Sequence, residues 1–171
     1  MNIPMTKAKS QILSDSDIVQ KIKRMAIEIA EDNYTEDELV FIGIYDRGSV
    51  LAKRLADEVK KTIRVKTSLY EVKLNKAKPA GSALLMNFDE NALNNKVVIL
   101  TDDVANTGKT MFYALQPILQ SAPRKVQVAV LVDRKHKQFP IASDYTGLQL
   151  STTMQEHIFV KLGVKSSVYL A

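Results

Sequence analysis

The chain has 171 residues, 46% of them hydrophobic, and no cysteine. That length fits one domain burying roughly 70% of its extended-chain surface, and the missing thiols exclude a disulfide framework and a thiolate metal site. Its 24 basic and 19 acidic side chains leave a formal charge of +5, a mild excess that attracts polyphosphates or nucleic acid and otherwise solvates a surface. No apolar run reaches the ~18 residues of a membrane span, and Met1-Asn2-Ile3-Pro4-Met5-Thr6-Lys7 lacks the apolar core of a signal peptide. No membrane association is expected, and the expected compartment is cytoplasmic.

In chain order, Ser14-Asp15-Ser16-Asp17 supplies capping oxygens ahead of Ile18, Ile22, Met25, Ala26 and Ile29, whose spacing predicts an amphipathic helix ending near Asn33. Leu39 to Tyr45 is continuously apolar but for one glycine, the pattern of a central strand. Asp46-Arg47-Gly48-Ser49 follows, and Val50, Leu51, Leu55, Ala56 and Val59 mark the next helix. This loop places a cation and a glycine beside the amides of a helix start, which suits a phosphate group. A surface ion pair between Asp46 and Arg47 is the simpler alternative.

Ile63, Val65, Thr67 and Leu69 alternate as in a strand with one more polar face. Tyr70 to Gly81, with Lys73, Lys76, Lys78 and Pro79, has little periodicity and reads as a long mobile loop. Ala83 to Phe88 has strand or edge character, and Asp89 to Asn95 is a polar turn.

The most informative stretch runs from Val97 to Thr110. Val97-Val98-Ile99-Leu100 is a strand buried on both faces, Asp102 and Asp103 stand where it emerges, and Thr107-Gly108 closes a tight turn. Met111, Phe112, Leu115, Ile118 and Leu119 then repeat at helical spacing, with Pro117 expected to kink or shorten the helix. Unpaired amides and the positive end of a helix dipole hold phosphate. Two carboxylates at the same mouth would face vicinal hydroxyls or a hydrated metal, so the combination describes a ribose 5-phosphate. A Walker loop is excluded because Asp103 stands where its first glycine is required, and no G-x-G-x-x-G occurs among the six glycines. An ordinary strand-to-helix turn with surface aspartates is the alternative. Val126, Val128, Val130 and Val132 lie in a third buried strand ending at Asp133-Arg134, and three such ends on one rim make the crevice where open α/β sheets bind ligands.

Residues 97–110 resemble the phosphoribosyl pyrophosphate motif of type I phosphoribosyltransferases, a hydrophobic strand running into two acidic residues and a loop ending T-G-[KR]-T. With Ile42-Gly43-Ile44-Tyr45-Asp46-Arg47-Gly48, Leu51-Ala52-Lys53-Arg54-Leu55-Ala56 and the run from Ala129 to Gly147, the chain from about Ile12 to Leu162 is similar to the bifunctional pyrimidine operon attenuator and uracil phosphoribosyltransferase family. The resemblance implies an α/β fold: a parallel sheet flanked by helices in a single domain over residues 1–171. Its core would span about 12–134, with a small hood made by about 135–162 and the N-terminal segment. It implies that Val104, Ala105, Asn106, Thr107, Gly108, Lys109 and Thr110, with Asp102 and Asp103, bind phosphoribosyl pyrophosphate. Asp46, Arg47 and Gly48 would be the pyrophosphate loop, with a cis bond expected at Asp46–Arg47, and the loop from Tyr70 would be a lid.

The implied reaction is attack of a nucleobase nitrogen on the anomeric carbon with loss of pyrophosphate. Asp102, Asp103 and Arg47 would be catalytic, and Mg2+ would be held by Asp102 and Asp103, in part through water. Asp133 and Arg134 are the expected base contacts. Asn106 cannot ionise, unlike the aspartate of hypoxanthine-guanine enzymes at that position, so uracil giving UMP is preferred over a purine. A nucleotide-sensing RNA-binding regulator is the second reading, with Arg124, Lys125, Lys135 and Lys137 as its basic side chains. A non-catalytic subunit is the third. Relatives imply a homodimer or homotetramer. His136 and His157 have no metal-ligand spacing.

Overall fold

The computed structural model describes residues 9–151, 153 and 156–171. The parts of the expected hood that fall on residues 1–8, Thr152, Met154 and Gln155 lie outside them.

After β1 (Ser10–Leu13), Ser14 starts α1 (Asp15–Asp32) with a capping box. The Asp17 amide donates to Ser14 Oγ at 3.2 Å, and the Ser14 amide donates to Asp17 Oδ2 at 2.8 Å. The chain continues through β2 (Glu38–Ile44), α2 (Arg47–Thr62), β3 (Lys66–Lys73), the short β4 (Leu85–Met86) and a 3-10 turn at Glu90–Leu93. Then come β5 (Val97–Ala105), α3 (Lys109–Gln120), β6 (Lys125–Arg134), β7 (Tyr145–Leu150), β8 (Ile158–Lys161) and β9 (Ser167–Leu170).

Six strands form the main sheet in the order β4-β3-β2-β5-β6-β7, all parallel except β4, while β1, β9 and β8 form a separate antiparallel sheet. Alternate residues of the central strands serve opposite faces, as the period of two requires. Leu39, Phe41, Val97 and Ile99 pack with α1 and α2, whereas Val40, Ile42, Ile44, Val98 and Leu100 pack with Met111, Ala114 and Ile118 of α3. Each such fully buried side chain contributes about 1.5–3 kcal/mol.

A polar network closes the α1 end of the sheet. Tyr145 donates its hydroxyl to Asp32 Oδ2 at 2.9 Å and accepts from Gln127 Nε2 at 2.7 Å, while Asn33 Nδ2 donates to Gln127 Oε1 at 3.0 Å. Burial comes first in raising the Tyr145 phenol above its ordinary range, followed by Asp32.

Several boundaries differ from those expected. β3 begins at Lys66 and takes in Tyr70 to Lys73, because Val72 is buried against the α3 side; the loop after it therefore starts at Leu74. α3 continues beyond Pro117 to Gln120, and the proline is buried rather than ending the helix. Tyr145–Leu150 joins the main sheet as its parallel edge, not the hood, and β9, which the alternation had not marked, lies between β1 and β8. The cis peptide bond lies at Tyr45–Asp46, one residue before the expected position. Among the described residues no helix is long and apolar enough to cross a membrane.

The sheet order places the site. Connections from β2 run outward to β3, those from β5 run the other way to β6 and β7, and the carboxyl ends of β2 and β5 are adjacent at this reversal. Gly43 pairs with Thr101, so the start of α2 lands beside Asp102. Gly48 makes the close approach possible: a Cβ there would stand 2.6 Å from the Thr101 carbonyl oxygen and 3.2 Å from Asp102 Cα, and Thr101 Oγ1 donates to the Gly48 carbonyl at 2.7 Å. Gly48→Ala is therefore expected to push α2 off the β5 end and cost about 1–3 kcal/mol, read as a lower urea midpoint with an unchanged m-value.

Candidate active site

Both carboxylates of the central motif lie inside β5 and not beyond it: Asp102 is 2% exposed and Asp103 4%. Asp102 is paired with Val130 of β6 on one side, and the α2 start packs against it through Gly48. Such charges need partners. Arg47, the first residue of α2, donates Nε to Asp103 Oδ2 at 2.8 Å and Nη1 to the Val160 carbonyl of β8 at 3.1 Å. Lys76, from the loop after β3, donates Nζ to Asp102 Oδ1 at 3.0 Å and lies 3.9 Å from Asp103 Oδ1. The Asp103 amide also donates to Asp102 Oδ1 at 2.9 Å.

Even so, Asp102 is pushed up to about 7, first by burial and then by the charge of Asp103, against the opposing pull of Lys76. The arrangement is a buried acidic pair, faced by two cations from separate elements.

Val104 to Met111 line a small recess after the pair. Gly108 caps α3 at φ +83°, a left-handed conformation that favours glycine. Lys109 donates its amide to Thr107 Oγ1 at 3.3 Å, and the Phe112 amide donates to the Gly108 carbonyl at 2.9 Å. A Cβ on Gly108 would stand 2.5 Å from Ile141 Cγ2. Its α-carbon thus faces the chain that crosses the loop.

That crossing segment is residues 135–141. The Gln138 and Phe139 amides donate to the Thr107 carbonyl at 2.9 and 3.1 Å. Lys137 Nζ donates to the Asp133 carboxylate, to the Arg134 carbonyl at 2.7 Å, and to the Asn106 and Ala105 carbonyls at 3.3 and 3.4 Å. The carbonyls of Ala105, Asn106 and Thr107 are thus tied back by this strap.

Of the residues singled out from the sequence, Asp102, Asp103, Arg47, Gly48 and the loop from Val104 to Thr110 converge. Asp46 is exposed at the mouth. Asp133 and Arg134 diverge: Asp133 meets Lys137, whereas Arg134 donates to Asn106 Oδ1 at 3.3 Å and to the Thr153 carbonyl at 2.9 Å. Arg134 lines a recess with Asn106, Thr107, His136 and Gln138, and its buried Nε has no hydrogen-bond partner in the protein. Sequence reading missed Lys76 and the strap. Lys76 carries no local signal, but Lys137 stands four residues after Asp133, a spacing that could have marked the pair.

Among the described residues no group of three or more potential ligands is arranged for a metal. Two adjacent carboxylates suit Mg2+, which commonly takes one or two from protein and the rest from water and phosphate.

The family model for the phosphoribosyl transferase domain matches residues 8–166. The chain belongs to the phosphoribosyltransferase family. Among curated relatives, the bifunctional protein PyrR of Pelotomaculum thermopropionicum is 36% identical over 168 residues, covering 92% of this chain and 91% of that one. PyrR of Deinococcus radiodurans is 37% identical over 168 residues, covering 92% and 90%. A hypoxanthine-guanine phosphoribosyltransferase structure from Bacillus anthracis superposes with TM-score 0.76 at 21% identity, covering 93% and 96% of the two chains. The hypoxanthine phosphoribosyltransferase of Trypanosoma cruzi gives 0.73 at 17%, covering 88% and 84%. At those identities the neighbours speak for the type I phosphoribosyltransferase fold and not for a base.

The raised Asp102 pKa has a consequence for stability. The folded protein keeps a proton on Asp102 that the unfolded chain gives up near its ordinary value of 3.8, so stability falls as pH rises from about 4 to about 7. Asp102→Asn, measured by urea unfolding at pH 5 and pH 8 in metal-free buffer, is expected to flatten that fall. Lys137→Met leaves the Asp133 carboxylate without its partner and the loop carbonyls untied. It is expected to cost about 1–3 kcal/mol and to speed amide exchange at residues 105–109.

Proposed function

We propose that this phosphoribosyltransferase moves the 5-phosphoribosyl group from phosphoribosyl pyrophosphate to uracil, releasing UMP and pyrophosphate. The observation that carries the reading is the buried acidic pair set between two helix starts at the reversal of strand order, a place built for a diol flanked by phosphates. Asp102 and Asp103 would accept hydrogen bonds from the ribose hydroxyls. The amides from Val104 to Thr110 would hold the 5-phosphate, and Arg47, Gly48 and the Asp46 turn the pyrophosphate. Mg2+ would be held by Asp102 and Asp103, directly or through water, and would offset charge on the departing pyrophosphate.

This chain's own part is positioning and fixed charge. Arg47 faces the acids on one side and the mouth on the other, so its guanidinium follows negative charge that develops on the leaving group. The strap through Lys137 keeps the phosphate amides aimed. Asn106, oriented by Arg134, is neutral and favours a neutral pyrimidine edge over a base that needs a carboxylate; Asp133, spent on Lys137, is the weaker of the two expected base contacts.

Incubation with phosphoribosyl pyrophosphate, Mg2+ and a panel of bases is expected to yield UMP from uracil, and no nucleotide from any base would overturn the reading. Asp103→Asn is expected to lower turnover about a hundredfold or more. Its stability should change by under about 1 kcal/mol, since Arg47 is half exposed and can rehydrate.

The name of the relatives, a bifunctional protein, favours a second role as a nucleotide-sensing, RNA-binding regulator of pyrimidine genes. Arg124 is engaged by Glu36, Lys137 by Asp133 and Lys125 by the Asp32 carbonyl at 3.5 Å, which leaves Lys135 of the four basic side chains for such contacts. RNA affinity that falls steeply with salt and rises with UMP would support that role.

A further inference from the structure

The loop from Leu74 to Leu84 lies over the acidic pair. Leu74 and Pro79 are buried, and hydrogen bonds within the loop are local: the Ala77 and Lys78 amides donate to Asn75 Oδ1 at 3.0 and 3.2 Å, and the Ser82 amide to the Pro79 carbonyl at 3.4 Å. Lys76 behaves differently. Its ammonium reaches Asp102 Oδ1 at 3.0 Å, Oδ2 at 3.4 Å and Asp103 Oδ1 at 3.9 Å, so it sits between the two carboxylates.

Charge counting shows what this contact demands. With both acids ionised, as at pH 8, two carboxylates face Arg47 and Lys76, so the cluster is balanced. A divalent cation entering would leave a surplus of positive charge at a buried place unless one of the two departs. Arg47 is built into the first turn of α2 and is held a second time by the Val160 carbonyl. Lys76 stands on a loop, and among the described residues its ammonium is held by the two carboxylates alone. Lys76 is the one that leaves.

We propose that Lys76 is a tethered competitor for the acidic pair: in the ligand-free protein it holds the Leu74–Leu84 loop shut over Asp102 and Asp103 and must be displaced by the divalent cation or sugar diol that they bind. The proposal rests on the reading of Asp102 and Asp103 as the cation- and diol-holding pair. It makes the empty site a self-neutralised one, in which binding exchanges an internal cation for an external one and frees the loop to rearrange around the ligand. The exchange also lets the buried pair avoid standing uncompensated between turnovers.

The test uses Mn2+ alone as the probe, at pH 8 and low ionic strength, with the full chain and the variants Lys76→Gln and Lys76→Arg. Lys76→Gln removes the competitor without adding bulk and is expected to bind Mn2+ about tenfold more tightly than the unaltered protein, read by the loss of the free-ion electron paramagnetic resonance signal. Hydrogen exchange of residues 75–82 in the ligand-free protein is expected to quicken in Lys76→Gln and stay slow in Lys76→Arg, which keeps the cation. Saturating Mn2+ is expected to raise exchange of the same residues in the unaltered protein.

Mn2+ affinity that is equal or weaker in Lys76→Gln, absence of Mn2+ binding by either form, or exchange indifferent to the substitution would each overturn the proposal. None of these measurements uses phosphoribosyl pyrophosphate. A protein that forms UMP while failing them loses only the latch, and one that passes them while forming no nucleotide loses only the proposed reaction.

Discussion

Two like charges, side by side in a central strand and almost wholly removed from water, are the constraint around which the crevice is arranged. Burying Asp102 and Asp103 is costly unless cations come to them, and the fold brings one from a helix start and another from a long loop. The reversal of strand order between β2 and β5 makes this possible, because it opens the sheet at the point where two helix starts face each other. Gly48 then lets α2 approach β5 more closely than any side chain would permit. Local choices at Gly48, Thr101 and Arg47 are thus consistent with the global topology, the agreement across levels that marks a foldable sequence.

The elements with strong periodicity were readable from the chain. α1, β2, α2, β5 and β6 follow from hydrophobic spacing because each buries a continuous face, and the cap at Ser14 was visible in four consecutive residues. Shorter pieces decided by partners were not. Whether Tyr145–Leu150 belongs to the large sheet depends on β6 offering it an edge, and β9 exists because β1 and β8 flank it; neither condition is written in local alternation. Pro117 sits inside α3 because tertiary packing buries it, which outweighs its poor helix propensity.

The same division applies to the crevice. Its acidic pair and glycine turn were legible because phosphate and diol chemistry demands those residue types at that spacing. The cations that answer the acids were legible only in part: Arg47 lies in a loop the sequence pointed to, while Lys76 is 26 residues from Asp102 and is brought there by tertiary structure. Lys137 looks like one more surface lysine, yet it ties back the carbonyls of the phosphate loop. A basic residue read as a solvated rim can therefore be a fastener.

The contact between Arg47 and the Val160 carbonyl carries an implication for mechanics. One guanidinium grips the acidic pair with Nε and the small antiparallel sheet with Nη1, so the two sheets share a mooring at the mouth of the crevice. Any anion that draws this side chain toward itself loosens the small sheet's tether in the same movement. Occupancy at the floor of the crevice is in this way converted into slack at its roof.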